Sequence, residues 1–160
     1  MRQWVVLLLA FWQLGAAEIV IDGAVLEAVR LDRAALVQME ATEIEKLPVV
    51  CRSGEEKVAP SRYKGVLLNR VLEKAAFATE SFKAYNTLVF IVEAEDGYRV
   101  LFSYNELFNS PVGEKVLVAY EKDGQAFEKN TFMLLSGADT MTGPRHVRDV
   151  RRIEVRQVTP

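Results

Sequence analysis

The sequence predicts a small α+β domain, and three observations lead to it. Half of the 160 residues are apolar and about a quarter are charged, which suits one hydrophobic core and one domain. Short β-rich runs are punctuated by Asp-Gly pairs at 22–23, 96–97 and 123–124, the turn chemistry of hairpins. Among them lies one segment, residues 66–77, where Leu68, Val71, Leu72 and Ala75 recur at helical spacing opposite Asn69, Arg70, Glu73 and Lys74.

Residues 1–17 stand apart from this domain. Arg2 starts them, the run from Trp4 to Trp12 is wholly apolar, and Gly15-Ala16-Ala17 supplies small residues before Glu18. The run is short against the ~20 residues of a spanning helix. The expectation is a cleaved Sec-type signal peptide, a mature chain beginning at Glu18 in the periplasm or outside the cell, and no transmembrane segment after cleavage. Cleavage removes one cation and no carboxylate, taking the net charge from −2 to −3. That balance excludes a nucleic-acid footprint, and the single cysteine, Cys51, excludes an internal disulfide.

Along the domain, residues 18–29 read as an edge hairpin turning at Asp22-Gly23. Asp32 is placed to cap a short helix through Met39. Residues 40–51 carry Thr42, Ile44, Val49 and Val50 and are expected to be extended, with Pro48 restricting them to an edge. Residues 52–60 read as loop, and the helix of 66–77 follows. Residues 88–92 are continuously apolar, which predicts a strand covered on both faces, paired through Asp96-Gly97 with 98–102. Ser103 and Glu106 have the spacing of a capping box for a helical turn that Pro111 and Gly113 end. Residues 115–120 predict a strand that turns at Asp123-Gly124, and 150–158 a closing strand. Residues 143–160 hold Arg145, Arg148, Arg151, Arg152 and Arg156 against Asp149 and Glu154, a local charge of +3.

His146 is the only histidine, so histidine-rich metal sites are excluded and a Ser-His-Asp triad has one imidazole to draw on. No G-x-S-x-G elbow, phosphate-binding glycine loop or CxxC is present. Tyr63, Tyr98 and Tyr120 read as half-buried packing residues with paired hydroxyls.

Six strings, in order, resemble the molybdopterin-binding domain of the sulfite-oxidase family of oxidoreductases, in particular its small exported members. They are Tyr63-Lys64-Gly65-Val66-Leu67-Leu68 with Val71-Leu72, Ala94-Glu95-Asp96-Gly97-Tyr98, Glu106-Leu107, Leu117-Val118-Ala119-Tyr120 before Asp123-Gly124, Gly143-Pro144-Arg145-His146-Val147, and Arg152-Ile153-Glu154-Val155. The resemblance spans residues 19–158. It implies a mixed, partly barrel-like β-sheet with a few short helices packed outside, as one domain over 18–160.

The resemblance also implies a site. Catalytic members ligate molybdenum through a cysteine upstream of the aromatic-x-Gly string, where this chain has Cys51, and a soft thiolate suits that metal. The segment holding Gly143, Arg145 and His146 matches the pterin pocket, where a guanidinium fork can hold phosphate, and Tyr63 heads the first string. Sulfite-oxidising members follow their cysteine with glycine-asparagine-arginine, whereas this chain has Arg52-Ser53-Gly54-Glu55-Glu56. Loaded members are usually exported folded through twin arginines, whereas here Arg2 precedes Gln3. The leading expectation is therefore a non-catalytic relative that keeps a pterin- or anion-binding pocket. Two alternatives stand beside it: a molybdenum oxidoreductase with Cys51 as ligand, and a periplasmic interaction or sensory module that meets a membrane-bound partner protein.

Overall fold

The computed structural model describes residues 17–158, and the expected signal peptide lies almost wholly outside them. The strands are β1 (Glu18–Gly23), β2 (Val29–Asp32), β3 (Thr42–Val50), β4 (Glu56–Leu67), β5 (Leu88–Ala94), β6 (Arg99–Ser103), β7 (Val116–Lys122), β8 (Gln125–Ala126), β9 (Met133–Ser136), β10 (Val147–Arg148) and β11 (Val150–Gln157). The helices are α1 (Arg33–Val37), α2 (Leu68–Leu72) and α3 (Tyr104–Phe108). One sheet runs β2-β1-β11-β5-β6; the other runs β10-β9-β7-β4-β3, with β8 paired to β7. Among the described residues only β1 and β11 pair in parallel, so the first sheet is mixed.

The two sheets share a core. Ile19, Ile21, Phe90, Val92, Ile153 and Val155 from the first meet Val66, Val118, Tyr120 and Leu134 from the second, with Leu36, Leu72 and Leu107 from the helices. The second sheet is apolar on its other face too, where Leu47, Tyr63, Leu117, Ala119 and Leu135 form a smaller cluster. That double burial is why β7 reads as an unbroken apolar run from Val116 to Tyr120. Register shifts at three points along β3 and β4, and again between Lys64 and Gly65, bend this sheet and give it its barrel-like curl.

Local chemistry explains several elements. Asp32 caps α1 by accepting the Ala35 N–H at 2.8 Å. Ser103 and Glu106 form the reciprocal capping box of α3. Asp123 and Gly124 both take positive φ, as a type I′ hairpin turn requires. Pro48 lies on β3, which is an edge strand.

Four expectations need correction. The predicted helix of 66–77 is α2, one turn and a half, because Val66 and Leu67 are the last residues of β4; the apolar face is real, with Leu68, Val71, Leu72 and Ala75 all buried. Residues 56–60 belong to β4 rather than to a loop, since pairing with β3 overrides their polar composition. β5 alternates buried and half-buried residues, so one face is covered and the other is open. The first hairpin is not wholly an edge: β2 is, but β1 lies between β2 and β11.

Candidate functional site

The residues singled out from sequence fall into three neighbouring environments. Cys51 is half-buried at the start of a turn in which its N–H donates to the Glu55 carbonyl and its own carbonyl accepts from Gly54, each at 2.9 Å. The chain returns beside it: the Thr142 hydroxyl donates to the Pro48 carbonyl at 2.6 Å and accepts from the Val50 N–H at 2.9 Å. Gly143 then passes so close that a Cβ there would lie 2.8 Å from the Val50 carbonyl oxygen and 3.5 Å from the Cys51 Cα. The Gly143 backbone thus passes close along the Val50–Cys51 backbone, 92 positions away from Cys51 in sequence.

Arg145 turns away from both. Its guanidinium holds Asp139 through Nε (2.8 Å to Oδ2) and Nη2, reaches Glu106 Oε1 through Nη1 at 3.1 Å, and lies 4.2 Å from the Phe102 ring centroid. The paired carboxylates raise its pKa, the Asp139 hydrogen bond most. Glu106 serves two partners, because its other oxygen accepts the Ser103 N–H in the capping box. The cation is thus shared by two carboxylates, and three of its five N–H groups, the Nε–Nη2 fork among them, are committed to them.

His146 and Tyr63 share the third environment. A cleft of about 410 Å³ is lined by Tyr63, Lys122, Phe127, Met133, His146 and Arg148, and by the carboxylates Glu128 and Asp149. A second cleft, about 550 Å³, adjoins it through His146, Arg148 and Asp149 and extends to Asp96 and Tyr98. The Tyr98 hydroxyl donates to the Pro144 carbonyl and so ties the β5–β6 turn to the segment carrying His146. Imidazole Nε2 lies 2.8 Å from Met133 Sδ. Burial lowers the His146 pKa to about 4, helped by Arg148 and Lys122, so the ring is neutral at pH 7. Burial raises the Tyr63 pKa, so its hydroxyl stays protonated.

Lys122 and Arg148 escaped the sequence reading. None of the ion pairs among the described residues involves either. Both act with burial to lower the imidazole's pKa, and Glu128 and Asp149 line the same cleft as their counter-charges. Arg148 was legible only as one arginine among five, and Lys122 as the residue before a turn. By contrast, Arg151, Arg152 and Arg156 are paired on the sheet surface with Glu95, Asp22 and Glu154.

The residues present do not fit a molybdopterin. Cys51 supplies a thiol, but Gly143 packs against the backbone at Val50 and Cys51, and Arg145, expected to hold the phosphate, is committed to Asp139 and Glu106. Among the described residues no group of three or more histidines, cysteines and carboxylates gathers as a metal site, and no helix is long and apolar enough to cross a membrane.

Fold and clefts together define a small α+β domain with a curled sheet and a partly aromatic recess that sets Lys122 and Arg148 beside Glu128 and Asp149. The same fold occurs in the sulfane dehydrogenase SoxCD from Paracoccus pantotrophus, with a TM-score of 0.62 and 16% sequence identity over 87% of this chain. The match covers 38% of that protein's chain, and at such identity the likeness is one of fold. No family model matches the sequence, and no curated protein does.

Proposed function

We propose that this chain is an exported, non-catalytic relative of the molybdopterin oxidoreductases that binds a small organic anion at the Lys122–Arg148 cleft. The observation that carries the reading is the pair of cations, unpaired among the described residues, beside the neutral His146 and the Tyr63 hydroxyl. Phe127 and Met133 add apolar wall, so the recess suits a ligand with a flat body and an anionic group, a pterin-like anion among them. The capture of Arg145 by two carboxylates favours this over a molybdenum enzyme, because it removes the phosphate anchor such an enzyme needs.

Pyrophosphate tests the charge directly. A specific site stabilises the fold by about 2.7 kcal/mol at a hundred times its Kd, with a saturable rise in Tm that weakens with salt. Lys122→Ala or Arg148→Ala is expected to weaken apparent affinity about tenfold, the loss of one charge-assisted contact, while Arg145→Ala leaves it nearly unchanged. Equal, shallow responses in all four proteins would sink the reading. Export is tested separately: N-terminal sequencing of the secreted form should begin at Glu18.

A further inference from the structure

The first sheet ends in a strand whose outer edge is free. Antiparallel pairing with β5 alternates, and the Tyr98 carbonyl accepts from the Ala94 N–H at 2.9 Å. That phase turns the backbone groups of Val100 and Phe102 toward β5 and those of Arg99, Leu101 and Ser103 outward. The Ser103 N–H bears this out, since it leaves the ladder to donate to Glu106. No backbone partner meets Arg99 or Leu101 on that side among the described residues.

Other edges of the fold carry protection that this one lacks. β3 has Pro48, a positive φ at Lys46 and three register shifts; β2 has four residues and ends in the Asp32 cap. β6 has no proline, no lysine and no bulge, and its one cation, Arg99, is held on its own sheet by Glu93 at 2.8 Å. Leu101 stands 52% exposed beside Ile91. An unbulged edge whose one charge is already paired is a template for another strand.

We propose that β6 pairs antiparallel with β6 of a second copy of this chain, about a two-fold axis at Val100. In that register Arg99 of one copy faces Leu101 of the other, and each such pair exchanges both backbone hydrogen bonds, using only the outward groups that are free. Ser103 falls opposite Gly97, which has no side chain to strike the Glu106 carboxylate seated there. A register centred one residue later pairs Arg99 with Ser103, whose N–H is already given to Glu106, and so forfeits a backbone bond at each end. The two Arg99 charges stay on their own Glu93 partners, and the arginine stem covers the exposed Leu101 of the other copy. The symmetry is closed, so the association stops at two. A five-residue edge falls short of the roughly 1,200 Å² of stable interfaces, so the dimer is weak and concentration-dependent.

Sedimentation of the mature chain across a concentration series tests this, with amide exchange followed on the same samples. The expected result is a mass rising toward two chains and exchange at the Arg99 and Leu101 amides slowing about tenfold or more. Leu101→Pro removes an N–H that the β5 ladder does not use, so it should keep the circular dichroism spectrum and abolish the dimer. Should that variant not fold, Leu101→Lys, which sets a cation against Arg99 of the other copy, must weaken association instead. A wild-type chain that stays monomeric throughout, or a dimer that survives Leu101→Lys without protection at Arg99, overturns the proposal.

Discussion

Arg145 and His146 are adjacent, yet they do opposite work. Arg145 joins Asp139, Glu106 and the Phe102 ring, so Arg145→Ala leaves two carboxylates without their cation and is expected to cost on the order of 2 kcal/mol in urea unfolding. Arg145→Lys should recover only part, since an ammonium cannot reproduce the planar fork. His146 is held neutral, with a pKa of about 4 against 6.5 when unfolded. The unfolded chain therefore takes up the proton first: the stability is complete above pH 6.5 and is lost progressively as the pH falls toward 4. With partial solvent access allowed for, the loss is on the order of 2 kcal/mol. His146→Gln should flatten that slope between pH 7 and 4. Cys51→Ser, in a half-buried turn, is expected to change stability by no more than about 1 kcal/mol, read from thermal unfolding.

Elements here are shaped by close approach as much as by propensity. Gly65 lies in β4 where that strand pairs with β7. A Cβ there would be 2.1 Å from the Val118 carbonyl oxygen and 2.6 Å from the Ala119 Cα. Gly65→Ala must push two paired strands apart at the register shift, and a loss above about 3 kcal/mol is expected by denaturant titration. The capping box of α3 and the Asp32 cap were legible because each is a local bond between residues three apart. α2 was over-read for the same reason: periodicity reports which face is buried, and says little about where a strand stops and a helix begins.

For the whole molecule the decisive strand is the last. β11 lies between β1, in parallel, and β5, antiparallel, and its arginines reach across to Asp22 on β1 and to Glu95 just after β5. A chain ending at residue 149 would split the first sheet, leaving one edge of β1 and one edge of β5 unpaired, and would expose the core partners of Ile153 and Val155. It is expected to lose cooperative unfolding, checked by circular dichroism and thermal melts.

The amino-acid sequence by itself determined the fold class, the turns at 96–97 and 123–124, both helix caps, the edge position of Pro48 and the buried face of Leu68, Val71, Leu72 and Ala75, because each depends on neighbours a few residues away. Only the tertiary structure decided that Gly143 lies against Cys51, that Arg145 is bound by Asp139 and Glu106, and that Lys122 and Arg148 surround His146. Those pairings join residues up to 92 positions apart, and charge on a single side chain acquires its meaning only from what the fold sets beside it.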